Sequence, residues 1–467
     1  MVFLLTVFAV LNLSAPPSAP ALPPSNVRQV SAHERWELRD GRFYLNEQWV
    51  FLKTGKLLRP FERPEAADEA IADLDVLIKR LNYNNISLNI YPDQFDEDAD
   101  GRVDSNRQAA VAGIRRIIDH CWQRGILCCL SFETYNVGGG GTPAALFKRH
   151  PDAVARNALL EPARDVEYAG PDGKWIPSIH HPAYLRWSRT FLGEFLHAVG
   201  RERAGRLFYV ETTVEPQYLG ACSVGDKDPR RAFLDFSDAA RGAFERWRSS
   251  LSPEDAHRSL RWPQTQDERD ALLVNRLFAD FRAEALAEWV NGDAAVVRKV
   301  VPDVFIAMDY NGRFDDRHDL RLGSRRRFLE HLMGVDIIQI APHTPEPWGA
   351  ASWDDVNEVN RRSGRRWAIT EHMTATGSWG HDNAEMTAIL ENTLARGTRF
   401  GWEFVNAGNR HERDEFHVYR QDWTSPCLDI IEGDKWPAWQ RKIGAPPFVP
   451  RPRQTDAGAP QPLDPKP

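Results

Sequence analysis

The chain has 467 residues, 42% of them apolar and 27% charged, with a net charge of −7. That balance excludes a basic nucleic-acid binder, which needs a positive field against phosphates. It suits a soluble globular enzyme long enough for a barrel with insertions.

Val2 to Leu13 are almost wholly apolar, a stretch too short to span a bilayer. Ala19-Pro20-Ala21 follows, so the segment reads as a signal-peptide apolar region and cleavage signal, although no Lys or Arg precedes it. A secreted or periplasmic protein is expected, with residues 1–25 as signal peptide and Pro-rich linker. The Pro-rich residues 446–467 read as a disordered tail, which leaves 26–445 as the body.

Strand-like apolar runs recur eight times in that body: Trp49 to Lys53, Asn85 to Ile90, Ile126 to Phe132, Leu207 to Val210, Val304 to Met308, Val335 to Ile340, Trp367 to Thr370 and Arg399 to Phe404. Helical periodicity lies between them. Ile71, Leu74, Ile78 and Leu81 precede the second run. Val111, Ile114, Ile118 and Cys121 precede the third, with Gly125 as the stop. Leu192, Phe195 and Leu196 precede the fourth. Strand–helix alternation through eight units predicts an α/β fold, a (β/α)8 TIM barrel. Residues 133–206 and 217–303 are too long for single helices. They are expected as long insertions after strands three and four, placed on the catalytic rim.

The five cysteines include the adjacent Cys128 and Cys129 in the third run, which read as small core hydrophobes. A Cys222–Cys427 bridge stays open. The 16 tryptophans fill core and also offer flat platforms for sugar rings.

After the second run comes Asp96-Glu97-Asp98-Ala99-Asp100-Gly101-Arg102-Val103-Asp104. Carboxylates at Asp96, Asp98, Asp100 and Asp104, with Gly101 at the sixth place, match the spacing of a calcium loop. Arg107 stands where a bidentate Glu is expected, so a solvated acidic turn and a structural Ca²⁺ site both remain open.

The fourth run continues as Glu211-Thr212-Thr213-Val214-Glu215-Pro216. Glu211 and Glu215, four residues apart, fall on one side of an extended strand. Pro216 cannot continue a central strand, so Glu215 belongs at its C-terminal mouth, where barrel enzymes place catalytic groups. The seventh run ends Ile369-Thr370-Glu371-His372, a second acid at a strand mouth. Two carboxylates facing across a cleft can split a glycosidic bond.

Glu211-x-x-x-Glu215-Pro216 resembles the E-x-x-N-E-P run of the retaining clan A glycoside hydrolases, such as family 5, and Ile369-Thr370-Glu371 resembles their strand-seven nucleophile motif. The 217–303 insertion is similar to that of the family 42 β-galactosidases. The resemblance implies a retaining β-glycosidase with Glu215 as acid/base and Glu371 as nucleophile. Val214 stands where the pattern has Asn, and Leu88 where family 5 has a strand-two Arg. The resemblance also implies that His343 orients the nucleophile and that Trp402 stacks under the sugar, with core packing the other reading for Trp402. Tyr310 and Glu133, at the ends of strands five and three, are further substrate-binding candidates, with core or rim packing the other reading for Tyr310 and pairing with an Arg the other reading for Glu133. Glu211 reads as a buried structural carboxylate.

The expected activity is hydrolysis of β-linked glycosides of an oligo- or polysaccharide, with a carbohydrate substrate, no required cofactor, no nucleic acid and no membrane span. Oligomeric state is not legible. The alternative is a catalytically impaired carbohydrate-binding barrel. A metal hydrolase built on His343, His372 and Asp309 is a weaker third, because strand one has no His-x-His pair.

Overall fold

A computed structural model describes the chain from Val27 to Arg453, apart from residues 32–33, 40, 59–60, 64, 137–139, 166–172, 219–227, 274, 311–322, 341–349, 364–367, 374–383, scattered positions between 385 and 400, 406–434, 443 and 446–452. For Tyr310, Ile340, 350–353, 363, 368–373, 405, 435, 439 and 442 it describes the backbone alone. Residues 1–25, Cys222, His343 and Cys427 lie outside the described residues, as does the tail other than Arg453.

Four short strands come first: β1 (Val27–Ser31), β2 (Glu34–Arg39), β3 (Arg42–Leu45) and β4 (Gln48–Val50), paired antiparallel in chain order. The sequence reading did not anticipate this sheet. Its apolar face, Trp36, Leu38, Phe43 and Val50, packs against Leu127, Phe208, Phe305 and Ile337 at the N-terminal ends of the strands that follow. Trp36 meets Phe208 edge-on at 4.7 Å, and Phe43 meets Phe305 at 4.8 Å. The buried Arg28 guanidinium donates to the carbonyls of Phe208 (3.0 Å) and Gly205 (2.8 Å). Arg453, from the expected tail, pairs with Glu34 at 2.8 Å.

Eight parallel strands then close into a barrel. They are β5 (Leu52–Leu57), β6 (Asn85–Ile90), β7 (Leu127–Phe132), β10 (Tyr209–Glu211), β11 (Phe305–Tyr310), β12 (Ile337–Ile340), β13 (Ala368–Met373) and β14 (Gly401–Val405). A two-stranded hairpin, β8 (Arg164–Asp165) and β9 (Lys174–Trp175), interrupts the count. The first apolar run was misplaced: Gln48–Val50 finishes the antiparallel sheet, and the barrel strand is Leu52–Leu57. That strand was hard to read because Lys53, Thr54 and Lys56 are polar yet fully buried.

Period-two alternation separates the two faces. Ile86, Leu88, Ile90, Leu130, Val210, Ile306, Met308 and Ile338 join the apolar layer under the helices. On the opposite parity, Asn85 binds Thr54 at 2.9 Å, and Lys56, Ser131 and Glu211 meet inside the bore. The bore therefore grades from an aromatic floor, sealed by β1–β4, to a polar C-terminal mouth.

The first outer helix, Ala66–Lys79, buries Leu74 and Leu77; the second, Gln108–Gln123, buries Val111, Ile114 and Ile118. Gly125, at φ 72°, ends the second as expected. Pro182 opens the helix Pro182–Val199, whose first turn is capped by the His181 side chain. Between β10 and β11 stand Asp238–Ser250, Gln266–Leu272 and the long helix Arg276–Val300, which bury their own aromatic cluster of Phe233, Phe236, Phe244, Trp262, Phe278 and Phe281. No helix among the described residues is long and apolar enough to cross a membrane.

Candidate active site

The mouth is built from the ends of β5, β6, β7, β10, β12 and β14. Strand β10 stops at Glu211, so Glu215 is not a second strand position above it. The chain leaves the ladder at Thr212, and Glu215 sits in a bend with φ 47°. A left-handed conformation is uncommon for Glu and persists only where the surroundings fix it. Here they do. Pro216, Gln217 and Tyr218 are buried, and Gln217 Nε2 donates to Glu215 Oε2 at 3.1 Å. The Tyr218 hydroxyl lies 3.3 Å from His180 Nε2, and the Arg282 guanidinium sits 4.5 Å from the Tyr218 ring centroid. Both long insertions thus touch the loop that presents Glu215: His180 belongs to one and Arg282 to the other. Glu215 itself is half-buried, reachable from the mouth.

Beneath it lies a buried charged layer. Glu211 accepts from Lys56 Nζ at 3.0 Å and from the Ser131 hydroxyl. Lys56 also reaches Glu403 at 3.8 Å. Glu403 accepts from the Tyr209 hydroxyl at 3.0 Å, with Gln339 Nε2 3.4 Å away. Burial works against the Lys56 charge, but Glu211, Glu403, Glu133 and Asp309 outweigh it and hold its pKa above the ordinary lysine value.

Glu133 follows β7 directly and is 7% exposed. Its Oε1 accepts from Asn89 Nδ2 at 2.9 Å. Burial pushes its carboxyl up to about 7; Lys56 and the Asn89 bond pull it down, while Glu211 and Glu215 push it up. An acid held near neutrality beside a second carboxylate is the arrangement that proton-transfer sites use. Ser87 Oγ, Thr212 Oγ1, Glu211 Oε1 and Gln339 Oε1 are buried with no partner among the described residues. Unmatched polar atoms grouped at one mouth mark a place for water or a polar ligand.

The other expected residues fall as follows. Glu371 lies on β13, in register with Ile340 and Trp402; its side chain lies outside the described residues. β10 and β13 are three ladder steps apart around the eight-stranded ring. Tyr310 ends β11, its side chain likewise undescribed. Trp402 requires a correction. It is 0% exposed and packs edge-on against Phe51 at 5.0 Å and Trp436 at 5.3 Å, in the layer between β14 and the helix Lys435–Lys442. Closed in by Phe51 and Trp436, Trp402 cannot carry a sugar, and Glu403 takes the bore position on β14; Glu371 pairs with Trp402 and so reaches the mouth only where the end of β13 departs from regular alternation. Sequence reasoning missed Lys56, Ser131, Asn89 and Gln339. A signal was present in Asn85-Ile86-Ser87-Leu88-Asn89-Ile90, whose polar parity marks a wet inner face.

In the acidic loop, carboxylate oxygens of Asp96, Asp98 and Asp104 come within 4.8 Å of one another. Asp100 does not join them; its Oδ1 accepts from the Arg102 amide at 2.7 Å. Asp96 is fully buried, bonded by Trp187 Nε1 (2.8 Å) and the Gly101 amide (2.9 Å), and desolvation pushes it up to about 6. Gly101, at φ 87°, makes the sharp turn. Three converging carboxylates are hard donors that fit Ca²⁺ in chemistry, while Arg107, in the twelfth place, pairs with Glu97. No other cluster among the described residues has metal-ligand spacing.

No family model matches the chain, and no curated protein matches its sequence. Solved structures do. A β-galactosidase from the psychrophilic Marinomonas ef1 superposes with a TM-score of 0.54 at 14% identity, covering 84% of this chain and 60% of its own. An exo-β-1,4-mannosidase from Opitutaceae bacterium strain TAV5 gives 0.51 at 14% identity, over 86% and 62%. A family 42 β-galactosidase from G. stearothermophilus gives 0.55 at 15% identity, over 93% and 60%. The chain thus spans about 60% of the length of the first of these structures. The chain shares the barrel fold of these structures, and at such identities the likeness is one of fold.

Proposed function

We propose that this protein is a retaining glycoside hydrolase acting on β-linked sugars of an oligo- or polysaccharide. The observation that carries the reading is Glu215, held in a left-handed bend at the mouth of the fourth barrel strand and electrostatically coupled to the buried Glu133. The sealed floor leaves that mouth as the bore's approach for substrate.

In this mechanism Glu215 protonates the glycosidic oxygen as Glu371 attacks the anomeric carbon, giving a covalent glycosyl-enzyme. Water, deprotonated by Glu215, then displaces Glu371 and returns the proton balance to its start. Glu133 faces sugar hydroxyls, its carboxylate held by Asn89. His343 and Tyr310 are proposed to line the same mouth. A calcium ion held by Asp96, Asp98 and Asp104 would brace the loop after β6, with no part in the chemistry.

The test is incubation with activated 2-deoxy-2-fluoro glycosides followed by peptide mass mapping. A stoichiometric adduct on Glu371 is expected. Sugar binding without any adduct would instead identify a non-catalytic carbohydrate-binding barrel.

A further inference from the structure

The bore places three charges where apolar side chains would fold at lower cost. The Lys56 side chain is 1% exposed, and those of Glu211 and Glu403 are 0% exposed. Taking each ion out of water carries a penalty that a well-packed hydrophobic layer avoids, so such a layer is weak evidence of a stabilising role. Its position is informative. Lys56 is the next-to-last residue of β5 and spans the bore to Glu211, the last residue of β10. Four residues later the chain presents Glu215. Ser131 of β7 shares the same carboxylate, and Tyr209 and Gln339 converge on Glu403.

Lys56 is the cation that touches two of these acids, Glu211 at 3.0 Å and Glu403 at 3.8 Å. Beyond these contacts it feels the charges of Glu133 and Asp309, with Tyr91 within its own field. Glu133 in turn faces Lys56, Glu211 and Glu215, and Tyr91 feels its charge.

Resting on the active-site reading above, we propose that Lys56 is the positioning residue of this mouth: one ammonium clamps the end of β10, from which Glu215 turns, and balances the acids gathered over it. Removing the ammonium leaves Glu211 and Glu403 as facing negative charges. Glu133 then loses a charge that favours its ionised form.

The experiment uses the full chain with ¹³C-labelled glutamate side chains, titrated by NMR, with the Glu133 resonance assigned from Glu133→Gln. In Lys56→Met the Glu133 midpoint should rise by about 1 unit or more, the range for losing a nearby opposite charge. Lys56→Arg should return it to within a few tenths. Lys56→Met/Glu211→Gln removes both partners and keeps the layer foldable if the single variant unfolds. Its midpoint should still rise, by less, because Lys56 acts on Glu133 more strongly than Glu211 does. An unmoved Glu133 midpoint in a folded variant lacking Lys56 overturns the proposal. In parallel, kcat/KM on aryl β-glycosides should shift its pH limb upward in Lys56→Met. If the unmodified protein has no such activity, the glycosidase reading fails while the titration still judges Lys56.

Discussion

Tyr209 on the fourth barrel strand donates its hydroxyl to Glu403 on the eighth, 3.0 Å away and four ladder steps around the ring. This bond joins opposite walls of the bore one turn of side chains below Glu215. It ties the two walls together within a buried polar layer, as expected for a scaffold that holds the mouth above it rigid.

The proposed division of labour between the two acids gives the first prediction. Glu215→Gln should lower kcat on glycosides with poor leaving groups by about 10²–10⁴-fold, the usual weight of a general acid. Activated aryl glycosides, which need less protonation, should show a smaller loss in their first step. Glu371→Ala should abolish turnover of both. Wild-type rates in the two variants on both substrate types would falsify the assignment.

Glu133 makes stability depend on pH. Its folded value of about 7 lies above the ordinary 4.5, so between these the folded chain holds a proton that the unfolded chain has released. Stability is therefore greatest below about pH 4.5 as far as this group is concerned, and falls as pH rises toward 7, by about 1.4 kcal/mol per unit at most. Glu133→Gln should lessen the pH dependence of the denaturation midpoint across that window, leaving the share of Asp96, Asp293 and Asp336, each pushed up to about 6 by burial. A slope identical to that of the parent protein would show that Glu133 does not titrate there.

Trp402→Ala should cost ~3–5 kcal/mol, the range for truncating a buried aromatic side chain. Trp402→Phe should recover most of that and leave KM unchanged, because the ring lies behind the strand. A large rise in KM with unchanged melting would return Trp402 to the sugar site.

Calcium is tested by calorimetry. If Asp96, Asp98 and Asp104 hold the ion, EDTA should lower the melting midpoint and added Ca²⁺ restore it, with Asp96→Asn insensitive to both. An unchanged midpoint in EDTA removes the ion from the account.

The strand Asn85–Ile90 is legible with its bounds, and the presence of helices at Ala66–Lys79 and Gln108–Gln123 is legible from periodicity without theirs: Leu81, part of the periodic set, falls beyond the end of the first helix. The barrel followed from their alternation. The antiparallel floor was missed, since its strands alternate apolar and charged residues over only three to six positions each. Lys56 was missed for a related reason: a polar residue in a short strand looks exposed until a partner across the bore is known.

What the sequence determined by itself was the order of strands and helices and the presence of acids near strand ends, since these depend on neighbours along the chain. Tertiary structure alone decided that Trp402 faces the helices, that Glu215 lies in a bend beyond its strand, and that Lys56 meets Glu211 across 155 positions of sequence. Those facts depend on how the ring closes, and closure brings together side chains that no local pattern connects.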